Sequence, residues 1–299
     1  MITESSRVGY INANGNVVIQ PNFGLHSRDF SDYLALVTLP NDATAVGYIN
    51  RSGQWVIRRL TFDDAGDFFE GLAPVKVANK YGYINRRGHV IIGPRFDWAF
   101  GFLHGFAAVQ INGKWGYIDR NGKQIIAPHY NNPDYYRERL FHVSVGPKHG
   151  FIDARGRTVI ARRFDDAHAF RDGVAIVKVG NLWGAIDHTG HIVVQPQFGW
   201  MSDFSNGVAC IQLEDTFGYV DRSGKRVFGT YNEATGFLDG FASVKINGKY
   251  GFIDATGALV ISARFDKVDF FHGPLAYAVE NGVGGYIDRH GQYVWRESP

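Results

Sequence analysis

Cysteine is almost missing: Cys210 stands alone in 299 residues, so no intrachain disulfide can form, and a reducing cytoplasm is the expected setting. Neither charge sign is in excess, with 31 Lys plus Arg against 29 Asp plus Glu, and the net +2 leaves no electrostatic footprint for nucleic acid. Long apolar runs are absent, and residues 1–7 carry no apolar signal core, so no membrane partner is expected. The chain has no HExxH, CxxC, P-loop, GxSxG or dinucleotide fingerprint. Its 11 histidines show no ligand spacing that returns, and His188 and His191 read as solvent-facing residues around a hairpin turn. No catalytic residue, cofactor or metal is therefore expected. Proline is sparse, at 10, and no Ser-, Pro- or charge-rich linker interrupts the chain.

Glycine, by contrast, is abundant and periodic. Gly9, Gly47, Gly82, Gly116, Gly150, Gly184, Gly218, Gly251 and Gly285 are spaced by 33 to 38 residues, most often 34. A period in this range marks a repeat architecture. Each unit reads as strand, turn, strand, turn, strand and then a compact bend. Residues 174–179 alternate in period two, with Ala175, Val177 and Val179 on one face and Ile176 and Lys178 on the other. Asn112-Gly113, Gly180-Asn181 and Asn247-Gly248 are hairpin turns, since Asn and Gly tolerate positive φ. A second turn ends in glycine in all nine units, from Asn14-Gly15 to His290-Gly291. Such units bury their faces only against neighbours, so residues 1–299 are expected to form one continuous β domain.

Each bend opens on an aromatic: Phe23, Phe62, Phe96, Tyr130, Phe164, Phe198, Tyr231 and Phe265. An Asp or Asn follows in most (Asp63, Asp97, Asn131, Asp165, Asn232, Asp266) and suits a local side-chain bond that starts a tight turn. Asp119, Asp153, Asp187, Asp221, Asp254 and Asp288 share their position with Asn12, Asn50 and Asn85. A position that accepts Asn freely forms turns and is not a general acid.

The residues Lys114-Trp115-Gly116-Tyr117-Ile118-Asp119, Leu182-Trp183-Gly184, Lys80-Tyr81-Gly82-Tyr83 and Lys249-Tyr250-Gly251-Phe252 resemble the WG (or KWG) repeat family, found mostly in bacterial proteins. The resemblance spans about residues 7 to 295. It implies an all-β fold of about nine 34-residue units forming a β-propeller-like ring, and an interaction module without shared catalytic residues. The alternative is an open β-solenoid or superhelix, because the chain opens on a hairpin (residues 9–19) with no strand before it. Counting that hairpin and eight three-stranded units gives 26 strands.

Since the repeated residues build the scaffold, function is sought where one unit departs from the pattern. The clearest departure is residues 130–143. There Arg139 stands where other units have glycine, Phe141 where they have alanine, and His149 replaces the Trp or Tyr of the motif. Tyr135, Tyr136, Arg137, Arg139, His142 and His149 are the candidate ligand- or partner-binding residues, because clustered aromatic and guanidinium groups make binding hot spots. Trp98 and Trp200, two residues after an opening aromatic, form a second candidate on which a glycan or peptide could stack. The expected function is a non-catalytic scaffold that binds a protein or peptide. The alternatives are an enzyme with a pocket at the ring mouth, acting on a small molecule, or a carbohydrate-binding propeller.

Three structural expectations follow from these assignments. Ala175, Val177 and Val179 should be buried while Lys178 is not. The backbone at Arg139 should differ from that at Gly173, since arginine resists positive φ. The Phe141 ring should fill the space left by Ala185, the one residue after the motif glycine that is not aromatic.

Overall fold

The computed structural model describes residues 1–4, 6–40, 42–58 and 62–297, side chains of 4 and 43–45 excepted. Among these residues the chain forms 32 strands and no helix, arranged as nine antiparallel meanders. The fourth is representative. A two-residue strand, Trp98–Ala99, pairs with Phe106–Ile111, which pairs with Lys114–Asp119, which pairs with Gln124–Tyr130. We refer to these as the first to fourth strands of a blade. The bend thus supplies an extra strand that escapes the three-strand reading, because two residues carry no alternation. Five of the described sheets have all four strands and four have three. The chain also opens on a strand, Ile2–Glu4, paired with Arg7–Ile11.

The motif glycine is fixed by close approach. The fourth strand bulges toward the third, shifting register between Trp115/Tyr117 and Tyr117/Ile118. A Cβ on Gly116 would lie 2.5 Å from the Ile126 carbonyl oxygen and 2.8 Å from the Pro128 nitrogen. Gly9, Gly82, Gly150, Gly184 and Gly251 meet the same backbone wall. The glycines of the third–fourth turns answer a different need, holding φ near +80°.

Neighbouring blades are joined by three recurring contacts. At the end bearing the second–third turns (the near end), Asp97 accepts from Lys80 Nζ at 2.5 Å and from the Asn112 amide at 2.6 Å. Asp165 binds Lys148 and the Gly180 amide in the same way, at 2.6 and 2.7 Å. These aspartates are structural, as their turn chemistry suggests, but their partners lie 15 and 17 residues away rather than locally. In mid-blade the Tyr83 hydroxyl donates to the Phe100 carbonyl at 2.7 Å, and its ring meets Phe102 at 4.9 Å. Tyr10 with Phe30, Tyr48 with Phe68 and Phe252 with Phe271 repeat the ring contact. At the far end, Glu70 accepts from the Gly105 amide at 2.9 Å and Asp239 from the Gly273 amide at 2.8 Å.

The same packing joins the first hairpin to the last blade. Each third–fourth turn glycine rests on an apolar side chain of the preceding blade, as Gly88 does on Ile57 and Gly190 on Ile160. Gly15, in the first such turn, lies against Val294 of the final blade, meeting its backbone carbonyl first and its side chain next. That contact overturns the open-solenoid alternative: the fold is a nine-bladed β-propeller.

By contact density the chain comprises two compact units. One holds residues 1–12, 17–146 and 152–157; the other holds 13–16, 147–151 and 158–299. The first encloses cores around Tyr48, Phe68 and Val75, and around Tyr117, Phe141 and Ile152. In the second, Phe204, Ile176 and Ile211 form one core and Phe265, Phe271 and Ile287 another.

Both faces of a second strand are covered, so burial does not follow the alternation expected for residues 174–179. Ala175, Ile176 and Val177 are all buried, Lys178 is half-buried, and Val179 is 46% exposed where the strand runs into its turn. The volume exchange between Phe141 and Ala185 also fails. Phe141 packs on Tyr117, Tyr136 and Phe106, whereas Ala185 packs with Met201 and Phe204. The space beside Ala185 is filled from its own blade and the next. Its cross-strand partner is Ile176, where other blades place Pro74, Ala108, Cys210 or Ser243 opposite an aromatic. Met201 replaces the alanine found at Ala65, Ala99, Ala167 and Ala234. The compensation is local, as expected of close-packed interiors.

The near-end stitches make stability sensitive to acid. The Lys80 ammonium, and then the Asn112 amide, hold the Asp97 carboxyl below the ordinary carboxylate range. A pKa lowered by folding contributes fully above the unfolded value of about 4, and its contribution is lost as pH falls through the folded value. Asp97→Ala should therefore lower Tm at about pH 7, with variant and wild type converging as pH falls through the folded value. Thermal melts across that range test this, and a pH-independent difference would contradict it.

Candidate binding surface

Residues 130–140 follow the path of the regular bends but present different chemistry. The Asp134 amide donates to the Tyr117 hydroxyl at 3.0 Å, which anchors the segment to the preceding blade. The Asp134 carboxylate holds His142 Nδ1 at 3.1 Å, and His142 is buried at 8% exposure. Tyr136 is half-buried, with its ring 4.9 Å from Phe106 and 4.7 Å from Phe141. Phe141 itself is wholly enclosed. His142 and Tyr136 are therefore taken up by packing and leave little surface for a ligand.

Tyr135 and Arg139 are exposed, and Arg137 is half-buried between them. Tyr135 is 37% exposed and stands edge-on to Phe100 at 6.3 Å. Burial raises its hydroxyl pKa, and the charge of Arg137 works against that rise. Arg137 and Leu140 close the first–second turn through paired backbone bonds of 3.0 and 2.9 Å. Between them Glu138 and Arg139 hold φ values of +46° and +73°. Gly173, at the equivalent position, has φ +82°, so the expected backbone difference at Arg139 is absent. The turn imposes its left-handed geometry, and arginine accepts it at a cost of about 1–2 kcal/mol.

At this turn position one further residue among the described ones is not glycine. Tyr33 holds φ +71° in the corresponding turn of the second blade and is 62% exposed. The equivalents are glycine at 71, 105, 173, 207, 240 and 273. Tyr33 escapes a count from the opening aromatic because one extra residue lies between Gly24 and Arg28 and displaces the register.

The remaining candidates belong to other elements of the chain. His149 belongs to the second unit, with Nδ1 3.7 Å from Asp166 Oδ1. Trp98, 46% exposed, packs on Tyr81 at 5.1 Å in the first unit, while Trp200, 39% exposed, meets Phe217 edge-on at 6.0 Å in the second. Each therefore rests on a single ring. His188, expected in solvent, stacks on Phe170 at 4.3 Å. An open polar depression in the second unit is lined by Asp172, Asn206, Gly207, Asp221, Arg222 and Ser223, and Arg222 spans it to pair with Asp172.

Comparison with known proteins bears on the scaffold. The WG containing repeat family matches at residues 9–32, 47–81, 81–115, 115–132, 150–183, 183–216, 217–250 and 250–283. The chain belongs to the WG repeat family. None of the curated proteins matches this WG repeat chain. Among solved structures, a eukaryotic initiation factor is similar over 97% of this chain and 93% of its own, at TM-score 0.65 and 10% identity. That likeness concerns the fold alone. Looser likenesses are to the dihydro-heme d1 dehydrogenase NirN (TM-score 0.49, 14% identity, covering 85% of this chain and 70% of its own) and to AztD from Citrobacter koseri (0.42, 12%, 91% and 92%).

The strain at Arg139 can be measured. Arg139→Gly should raise stability by about 1 kcal/mol, or Tm by about 2–4 °C. Thermal and urea melts read the change. A lower Tm would show that the arginine side chain stabilises the turn by more than its backbone strain costs.

Proposed function

We propose that this WG repeat protein is a non-catalytic scaffold that binds a protein or peptide partner through Tyr135, Arg137 and Arg139. The observation that carries this reading is Arg139, an exposed guanidinium kept in left-handed backbone where glycine would relieve strain. Backbone strain that persists beside accessible aromatic and cationic groups points to a binding role. The repeated polar side chains support the same reading by their occupation. Asp119, Asp153, Asp221 and Asp254 each cap the amides of their own turn, and Asp97 and Asp165 join blades. They are committed to structure, which leaves recognition to the departures from the pattern. A single cysteine, Cys210, buried and with its thiol pKa raised to about 12 by burial, is compatible with the cytoplasm as the site of action.

A photo-crosslinking residue at position 135, with one at position 256 in the second unit as control, tests the proposal in lysate of the source organism. A protein captured at 135, absent at 256 and lost in Arg137→Ala/Arg139→Ala, is the expected outcome. Equal capture at both positions, or capture indifferent to the two arginines, would contradict it.

A further inference from the structure

The far end of the second, third and fourth blades has its own charge pattern. Its third–fourth turns carry Arg51, Arg86, Arg87, Arg120 and Lys123 against one carboxylate, Asp119. Asn50 and Asn85 stand where most other blades place aspartate. Asn50 Oδ1 accepts from the Ser52 and Gln54 amides, both at 3.0 Å, and Asn85 Oδ1 from Arg87 and His89 at 2.9 and 3.1 Å. Asp119 caps its turn identically, with two bonds of 2.9 Å. The cap thus works with either residue, and the choice of Asn sets only the charge: two carboxylates are missing beside Arg51, Arg86 and Arg87.

The guanidiniums are unevenly answered. Arg86 pairs with Asp32. Arg120 donates to the Glu70 carbonyl at 2.7 Å, while the Glu70 carboxylate is engaged by the Gly105 amide. No carboxylate among the described residues pairs with Arg51 or Arg87. Arg51 and Arg86 instead lie against the Tyr33 ring, at 5.0 and 5.5 Å from its centroid. That ring is the exposed, left-handed residue described above, so backbone strain and unanswered charge coincide at one place.

We propose that this surface is a second binding site, which takes an acidic segment of a protein partner on Arg51, Arg87 and Arg120 around Tyr33. Guanidinium forks match peptide carboxylates in bidentate fashion, and the cation-flanked ring offers an apolar wall to the same segment. Nucleic acid fits less well. Its phosphates would meet Asp32 and Glu70 among the arginines, and the chain as a whole carries only +2.

Fluorescence anisotropy of a labelled oligoglutamate peptide with the full chain at low salt tests this, with oligothymidylate as the comparison. Saturable peptide binding that weakens with salt is expected, reduced about tenfold or more in Arg51→Gln/Arg87→Gln, which leaves the Arg86–Asp32 pair in place. Tyr33→Gly should raise Tm and weaken the peptide together, a combination that loss of folding cannot produce. Arg137→Ala/Arg139→Ala should leave peptide binding unchanged. Absence of saturable peptide binding, indifference to the Arg51/Arg87 pair, or tighter binding of oligothymidylate would overturn the proposal.

Discussion

The seam between neighbouring blades carries this structure. A blade is a thin meander with apolar side chains on both faces, so each gains its core only by lying against the next. The seam is closed by a carboxylate bridge at the near end, a tyrosine hydroxyl and ring pair in mid-blade, and a carboxylate–amide bond at the far end. The motif residues take their meaning from it. The lysine of the motif reaches the aspartate that caps the next blade's turn, and the tyrosine after the glycine reaches the next blade's bend. The glycine admits the bulged fourth strand. A sequence constrained in this way keeps its motif while leaving loops free to change.

That division of labour explains which residues can serve function. The aspartates that recur through the chain point into turns or seams and are satisfied there. Two first–second turns break the glycine rule, at Tyr33 and Arg139, and both put a large side chain into solvent on left-handed backbone. Both lie in the first unit and at the far end of their blades. On the reading proposed above, recognition falls to the turns that display a side chain on left-handed backbone.

Much of the fold was legible in the sequence, because turn glycines at a fixed period specify hairpins directly. The short first strands were not, since two residues such as Trp98–Ala99 show no periodicity. The aromatic six residues after the opening one recurs at Phe68, Phe102, Phe170 and Phe204 and so marks the mid-blade seam in the sequence itself. The distant partners of Asp97 could not be inferred, because local and long-range hydrogen bonds leave the same residue in the sequence. Ala185 was misjudged for a related reason: volume is exchanged among spatial neighbours such as Ile176 and Met201, not between successive anomalies along the chain. Of the candidate site, Tyr135, Arg137 and Arg139 were legible as departures from the repeat. That His142 and Tyr136 turn inward was not, since it depends on Asp134 and Phe141 in three dimensions.

The central claim, that repeated residues hold the blades while departures from the repeat do the binding, is tested most directly by a graft. Residues 131–139 would be replaced by the regular 165–173, and the chimaera compared with wild type by thermal melting and by partner capture at a crosslinker placed on residue 137. A chimaera at least as stable as wild type, with partner capture lost, is the predicted result. Loss of folding, or capture that survives the graft, would contradict the account.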